Sequence, residues 1–186
     1  ELVMGMPRRL TAHSGIDALT HAVEAFVSAV STEYTNAQAL EAIRILFKYL
    51  PEAYADGAQN VKARERVHNA ACMAGMAFAN AFLGICHSMA HKLGAKFDLP
   101  HGLANALLIG HVVRYNATDR PIKQAAFPQY AYPSAIERYA RIADYLGLGG
   151  STKEEKVTLF IHEIESLKAK LDIPASIAAA GVPEQQ

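Results

Sequence analysis

The stretch His87–Gly102, HSMAHKLGAKFDLPHG, places three histidines close together at the end of a long apolar run. His87 and His91 are four residues apart, so on a helix they share one face. His101 follows Pro100, and a proline limits how far the preceding helix can continue. The stretch therefore predicts a helix with a histidine face, a break, and a third histidine where the next helix begins.

A second polar pair lies upstream in Thr11–Phe26, TAHSGIDALTHAVEAF, where Asp17 and His21 are also four residues apart. Unpaired polar groups are costly in apolar surroundings, and a buried cation would satisfy the acid and the histidines together. The two helix faces therefore predict one shared metal site. Glu24 lies on the same face, and its position fits both a side chain that supports a ligand and a solvated or bundle-facing one.

Spacing alone leaves the ligand set open. A single histidine on an apolar helix is more often a hydrogen-bonded core residue, so the metal prediction depends on the group. A His-xxx-His pair on a helix is a common zinc arrangement, which favours His87 with His91. His101 would then support a ligand or contact a substrate. Mixed imidazole and carboxylate ligands suit zinc, iron or manganese.

The charge balance argues against a nucleic-acid-binding protein, and the cysteines argue against a disulfide-stabilised one. Lys and Arg total 18, as do Asp and Glu, and the formal net charge is zero. Proteins that bind nucleic acids usually carry a basic excess, so we expect no nucleic-acid partner. Cys72 and Cys86 form neither a disulfide framework nor a CxxC motif, which favours a reduced, cytoplasmic setting.

The run Ala70–Cys86, AACMAGMAFANAFLGIC, is the one candidate for a membrane span. A span needs about 20 apolar residues, whereas this run is shorter, contains Asn80 and leads into the histidines. We therefore expect a core helix that is buried on all sides, and no membrane partner. The first residues, ELVMGMPRRL, lack the charged and apolar regions of a signal peptide in the right order.

Apolar residues that recur every three or four positions predict an all-α chain of seven or eight helices, with no βαβ alternation. Pro51 is expected inside a helix, and Gly84 is expected to break the chain before the His87 helix. Thr118–Tyr132 is expected to be a loop. The residues expected to begin helices are Thr11 or Ser14, Thr32, Asn60, Ser134, Ser151 and Pro174.

Two long motifs carry a family resemblance. GIDALTHAVEAF (Gly15–Phe26), followed by GICHSMAHKLGAKFDLPHG (Gly84–Gly102), resembles the iron-dependent (group III) alcohol dehydrogenase family. RPIKQAAFPQYAYPSAIERYARIADYLGL (Arg120–Leu148) is similar to the alcohol dehydrogenase half of the bifunctional aldehyde-alcohol dehydrogenases. The resemblance runs from about Pro7 to the last residue, which is nearly the whole chain.

The resemblance implies a ligand set that differs from the one favoured by spacing. The metal ligands of the family fall on Asp17, His21, His87 and His101. His91 is then not a ligand but lies beside the metal, near where the nicotinamide and the substrate meet, which implies a catalytic and cofactor-binding role for its imidazole.

The resemblance also implies a fold and an activity. Residues 1–186 would form part of the all-α, multi-helix C-terminal domain of the dehydroquinate synthase-like fold, without the N-terminal dinucleotide-binding domain. The complete enzyme would be a homo-oligomer that interconverts short aldehydes and primary alcohols, such as acetaldehyde and ethanol. It would use NAD and Fe(II), with Zn(II) as a substitute.

Two other functions are compatible with the residues. One is a helical metal-binding or interaction module without catalysis of its own. The other is a different chemistry on the same scaffold, as in a dehydroquinate synthase-like relative, because a fold does not determine a function. The match of HSMAHKLGAKFDLPHG (His87–Gly102) to the alcohol dehydrogenase family argues against that chemistry.

Overall fold

The computed structural model describes residues 2–118 and 134–183, and these residues form helices and no strand. The predicted all-α class and the lower of the two predicted helix numbers are confirmed for this part of the chain. Most of the predicted loop Thr118–Tyr132 lies outside the described residues. The helices are α1 Arg8–Val27, α2 Glu33–Asp56, α3 Val61–Ala81, α4 Ile85–Phe97, α5 His101–Asn116, α6 Ala135–Leu146 and α7 Lys153–Lys170.

Helix α1 lies at the centre of the fold. It packs against α2, α3 and α5, while α4 packs on α5 and α6 packs on α7. Ile16, Leu19 and Phe26 of α1 are almost completely buried in the core. Because α1 is surrounded by other helices, the polar side chains that it carries are held among neighbours on several sides.

Two predicted helix starts and the predicted proline position are confirmed. At the start of α2, the Thr32 hydroxyl accepts from the Thr35 N–H at 3.4 Å and the Thr35 hydroxyl accepts from the Thr32 N–H at 2.8 Å. The Asn60 side chain accepts from the N–H of Ala63 at 3.0 Å and so caps α3. Helix α2 continues through Pro51 and ends at Asp56.

The predicted start of α1 is wrong. The helix begins at Arg8, directly after Pro7, whose extended backbone precedes the first turn. Thr11 and Ser14 lie inside the helix, where their hydroxyls donate to the carbonyl oxygens of Pro7 at 3.0 Å and Leu10 at 2.7 Å. Serine and threonine hydroxyls can bond either way, so their presence alone does not locate a helix start.

In the second half of the chain one predicted start is confirmed and two are corrected. Ser134 is the N-cap position of α6, as predicted, although its side chain makes no capping hydrogen bond, and α7 is capped by Thr152 rather than Ser151. The Thr152 hydroxyl accepts from the N–H of Glu155 at 3.1 Å, so the capping box that starts α7 begins one residue later than predicted. After Pro174 the described chain forms turns and no helix, because so short a segment does not repay the cost of helix nucleation.

Helix α3 is not buried on all sides, contrary to the prediction. Met76 on this helix is 44% exposed, and Phe82 directly after it is 68% exposed. Small side chains let α3 lie close to α1 and α2, while its larger apolar side chains remain on the outside. The buried face consists largely of alanines: Ala63, Ala70, Ala74, Ala77 and Ala81.

Helices α3 and α4 also bear on the candidate membrane span. Within the described residues, no single helix is long and apolar enough to cross a bilayer. Together α3 and α4 would reach that length and hydropathy, but the pair is bent by 107° at the break between them. The predicted break at Gly84 is confirmed, since Gly84 is the residue that precedes α4.

The connection between α4 and α5 determines where His101 lies. Asp98 ends α4 in a left-handed conformation with φ 53° and ψ 37°, and the N–H of Leu99 bonds to the carbonyl oxygen of Gly94 at 3.3 Å. Pro100 is extended, and α5 begins at His101. The tight reversal therefore brings the first residue of α5 back towards α4.

Helices α1 and α5 lie close together at Gly102. A methyl group at this position would lie 2.2 Å from the backbone oxygen of His13 and 2.6 Å from its carbonyl carbon. Neither atom belongs to a flexible side chain, so the backbones would have to separate. The glycine is therefore what allows α5 to hold its first residues against α1.

Replacing Gly102 with Ala should lower the free energy of unfolding by about 1–3 kcal/mol or more, the usual cost of overpacking. Gly75→Ala is the matched control, because a methyl group there meets no heavy atom within 4 Å. In the middle of α3 it should raise the free energy of unfolding by about 0.5–1 kcal/mol. Urea denaturation of both variants measures the difference, and a Gly102→Ala variant as stable as the wild type would contradict the close contact.

Candidate metal centre

Four potential metal ligands meet where α1, α4 and α5 come together. Each offers one ligand atom, and these atoms all lie within 4.8 Å of one another. Asp17 and His21 come from α1, His87 comes from the first turn of α4, and His101 is the first residue of α5. In the described part of the chain, the structure therefore brings together all four residues that the family resemblance implies as ligands.

The Asp17 carboxylate is in the middle of the group. Its Oδ1 lies 3.3 Å from His101 Nε2 and 3.6 Å from His87 Nε2, and its Oδ2 lies 3.9 Å from His21 Nδ1. Ligand atoms that share an ion at about 2.1 Å lie within about 4.2 Å of one another. All three distances from Asp17 fall inside that limit, so the spacing between this carboxylate and each of the three histidines fits a shared divalent cation.

The ring of His21 is held between two other rings. It stacks on Phe78 with centroids 4.4 Å apart and on His87 with centroids 4.5 Å apart. Burial lowers the pKa of His21 to about 4, although the nearby Asp17 carboxylate acts in the opposite direction. The imidazole is therefore neutral at physiological pH, which is the form that binds a metal.

His87 provides the observation that most directly points to a cation. Its side chain is 2% exposed, and its Nδ1 lies 2.6 Å from Glu24 Oε2. Its Nε2 is also buried but has no hydrogen-bond partner. A buried nitrogen without a partner is costly, and a cation among the four side chains would supply the partner. The residues present therefore fit a metal ion.

The two acidic neighbours alter the proton affinity of the His87 ring. Burial alone would lower the pKa of His87, but the carboxylates of Asp17 and Glu24 outweigh burial and raise it to about 9. Burial alone would raise the pKa of Asp17, but His87, His21 and the amide of Asn105 lower it. Both carboxylates are therefore ionised, and Asp17 offers a negative charge to a cation.

Glu24 is one turn after His21 on α1, and its side chain is 5% exposed. The sequence was compatible with Glu24 either supporting a metal ligand or facing solvent or the helix bundle. In the structure it is buried beside His87. Its Oε1 accepts from the N–H of Cys86 at 2.7 Å. Burial would raise the pKa of Glu24, but the hydrogen bonds from His87 and from the backbone of Gly84 and Cys86 lower it.

Asn105 also belongs to the site, and the sequence reasoning missed it. The residue is completely buried, and its Nδ2 donates to Asp17 Oδ1 at 2.7 Å and lies 3.1 Å from His101 Nε2. The signal was present in the sequence, since Asn105 is four residues after His101 in an otherwise apolar helix. A buried amide at that spacing indicates a polar neighbour on the same face.

His91 lies at the outer edge of the group. Its side chain is exposed, its ring centroid is 5.1 Å from that of His101, and it is 6.3 Å from that of His87. No atom of His91 belongs to the group of four ligand atoms within 4.8 Å. The geometry therefore brings His87 together with Asp17 and His101 rather than with the histidine one turn further along α4.

This arrangement of helices and ligands has a counterpart in a known protein family. Residues 11–186 match the model described as the C-terminal part of the Fe-containing alcohol dehydrogenase family. The chain belongs to this family. The resemblance read from the two histidine motifs is thereby confirmed, and so is the expected all-α C-terminal domain.

The relatives by sequence are alcohol-metabolising oxidoreductases. The aldehyde-alcohol dehydrogenase of Clostridium acetobutylicum is 60% identical over 185 residues, which are 100% of this chain and 22% of that protein. The bifunctional aldehyde-alcohol dehydrogenase of Escherichia coli is 57% identical over 185 residues, 98% of this chain and 21% of that protein. The chain thus spans about a fifth of the length of these two relatives.

Solved structures of the family share the same helical arrangement. The crystal structure of a 1,3-propanediol oxidoreductase has a TM-score of 0.85 and 40% identity, over 97% of this chain and 44% of that one. The alcohol dehydrogenase from Oenococcus oeni has a TM-score of 0.86 and 35% identity. The match covers 98% of this chain and 44% of that one. The family is one of enzymes, and the chain matches less than half of each solved protein.

Alanine substitutions of the histidines should separate the two ligand sets. His87→Ala and His101→Ala should each weaken Zn(II) binding strongly, whereas His91→Ala should leave it within a few-fold of the wild type. The reason is that His87 and His101 each lie against Asp17 and His91 does not. Chelator competition measures the affinities, and an equal loss in His91→Ala would support the His87–His91 pair that spacing alone favours.

Proposed function

We propose that this chain is the metal-binding half of an NAD-dependent alcohol dehydrogenase that interconverts short aldehydes and primary alcohols, such as acetaldehyde and ethanol. The observation that carries the proposal is the group of one carboxylate and three imidazoles, held by three helices within 4.8 Å. Membership of the Fe-containing alcohol dehydrogenase family supports it. The substrate class follows from the similarity to the two aldehyde-alcohol dehydrogenases.

Asp17, His21, His87 and His101 would hold the metal, which we expect to be Fe(II), with Zn(II) as a substitute. A bound divalent cation would supply Lewis-acid chemistry towards a carbonyl or alcohol oxygen. The donor set suits that task, because one carboxylate leaves a dication with a net positive charge. The imidazole stacking of His21 and the buried bonds of His87 keep the donor atoms in place without the substrate.

We assign His91 to the substrate side of the site. Its side chain is exposed and its ring lies next to that of His101, which is also exposed, so both imidazoles are on the open side of the metal group. Imidazole nitrogens can both donate and accept a proton. His91 would therefore move a proton to or from the alcohol oxygen, or orient the nicotinamide through a hydrogen bond.

The nicotinamide cofactor would be held largely by a separate dinucleotide-binding domain. The proposed boundaries make residues 1–186 the helical metal-binding domain of a protein at least twice that length, as in the solved relatives. Exposed apolar side chains on α3, on α4 and between these helices fit a contact with such a domain, since large exposed patches mark interfaces. They include Met76, Phe82, Ile85 and Met89.

The 186-residue chain alone should bind Zn(II) or Fe(II) but should not oxidise NADH with acetaldehyde. Hydride transfer needs the nicotinamide aligned with the substrate carbon, and such positioning accounts for about 7–11 kcal/mol of a barrier. Absorbance at the NADH band, with anaerobic Fe(II), measures the turnover. The control is the full-length protein under the same conditions, which should be active.

Either of two results would contradict this proposal. Metal-dependent turnover by the isolated, mass-verified chain would contradict the assignment of the cofactor to another domain. A full-length protein that binds metal but has no dehydrogenase activity would support the non-catalytic metal-binding module instead.

The metal identity should depend on how the protein is prepared. Anaerobic, reducing purification should yield Fe(II), and aerobic handling should replace it with Zn(II), because nitrogen and oxygen sites generally bind Zn(II) more tightly than Fe(II). Metal analysis by mass spectrometry of both preparations measures the content. Retention of Fe(II) against equimolar Zn(II) would contradict the expected preference.

A further inference from the structure

Helix α4 begins without a capping side chain of its own. Its N-cap is Gly84, which has no side chain to bond the first N–H groups of the helix. The carboxylate of Glu24 on α1 takes this role instead. Its Oε1 accepts from the N–H of Cys86 at 2.7 Å, and its Oε2 lies 3.4 Å from the N–H of His87.

The same carboxylate also bonds the side chain of His87. Its Oε2 lies 2.6 Å from His87 Nδ1, and an ionised carboxylate can only accept a hydrogen bond. His87 Nδ1 therefore carries a proton and donates this bond, which leaves Nε2 as the ring nitrogen that can bind a cation. The other ring nitrogen, Nε2, faces Asp17 at 3.6 Å, is buried, and has no hydrogen-bond partner.

We propose that Glu24 is the positioning residue of the metal centre: by capping α4 and accepting from His87 Nδ1, it presents His87 Nε2 to the cation. The inference rests on the proposed metal-binding function. One carboxylate connects the start of a helix to the orientation of a ligand ring, so Glu24 acts on the metal only through His87. Hydrogen-bonded carboxylates behind a ligating histidine orient the ring in this way in metal sites generally.

The absence of a side chain at position 84 allows this contact. A methyl group on Gly84 would lie 2.7 Å from Glu24 Oε1 and 3.3 Å from its carboxyl carbon. The backbone there is extended, with φ −119° and ψ −153°, so alanine would meet the carboxylate rather than a backbone restriction. Gly84→Ala would therefore move the Glu24 carboxylate while leaving its charge in the protein.

Glu24→Gln is the direct test, made in the full-length protein. The amide keeps the size of the side chain but has an oxygen at only one of the two carboxylate positions, so it cannot accept from Cys86 N–H at the Oε1 position and from His87 Nδ1–H at the Oε2 position. If the amide nitrogen faces His87, the ring must carry its proton on Nε2 and cannot ligate. We expect Zn(II) affinity to fall about 10- to 100-fold, and the visible spectrum of the Co(II)-loaded protein to change with the loss of a ligand.

Gly84→Ala is the second variant, with Gly75→Ala as its matched control. The first displaces the carboxylate, whereas the second adds the same methyl group where no heavy atom lies within 4 Å. We expect Gly84→Ala to weaken Zn(II) binding and Gly75→Ala to leave it unchanged. If circular dichroism shows that Glu24→Gln does not fold, this pair decides the inference. Wild-type affinity in Gly84→Ala would then overturn it.

The His87→Ala background separates positioning from a general structural effect. Once His87 is removed, Glu24→Gln should cause no further loss of Zn(II) affinity, because the two residues act as one unit. Losses that add in the double variant would overturn the proposal, and so would a folded Glu24→Gln variant with wild-type affinity. A wild-type protein that binds no metal, or whose affinity is unchanged by His87→Ala, would contradict the proposed function itself.

Discussion

Withdrawing a carboxylate from solvent among helices is costly unless its charge is compensated, and the site depends on how the partly buried Asp17 meets this requirement. The carboxylate receives a hydrogen bond from Asn105 and lies beside the rings of His87 and His101. These partners come from α4 and α5, while Asp17 itself belongs to α1. The acid therefore holds together helices that are far apart along the chain, and it does so at the place where a cation would be bound.

Such an arrangement is possible only because the helices approach closely. Gly102 lets the first turn of α5 lie against the backbone of α1, which places His101 beside Asp17. The alanine face of α3 does the same on the other side of α1, where Phe78 stacks on His21. The small residues thus determine the distances between backbones, and those distances determine where the polar atoms meet.

The polar contacts form two layers. The inner layer consists of the four proposed ligands. The outer layer consists of Glu24, which bonds His87 Nδ1, and Asn105, whose Nδ2 contacts Asp17 Oδ1 and His101 Nε2. A ligand ring without such partners could rotate, and the energy gained on binding a cation would be spent on ordering it. The outer layer explains why one histidine of α4 faces the site closely while His91, one turn away, remains exposed.

The sequence by itself determined the helical class, most helix positions and the ligand types, because helix periodicity and metal chemistry both follow from residue identity and local spacing. The caps of Thr32 and Asn60 were predictable for the same reason. Local hydroxyls misled at Thr11 and Ser14, which bond within α1, since serine and threonine can cap a helix or bond within it. Contacts such as Glu24 with His87 join residues more than sixty positions apart, and no local pattern specifies them. Only the packing of α1 against α4 and α5 decided which polar side chains face one another, because that depends on how closely the backbones approach.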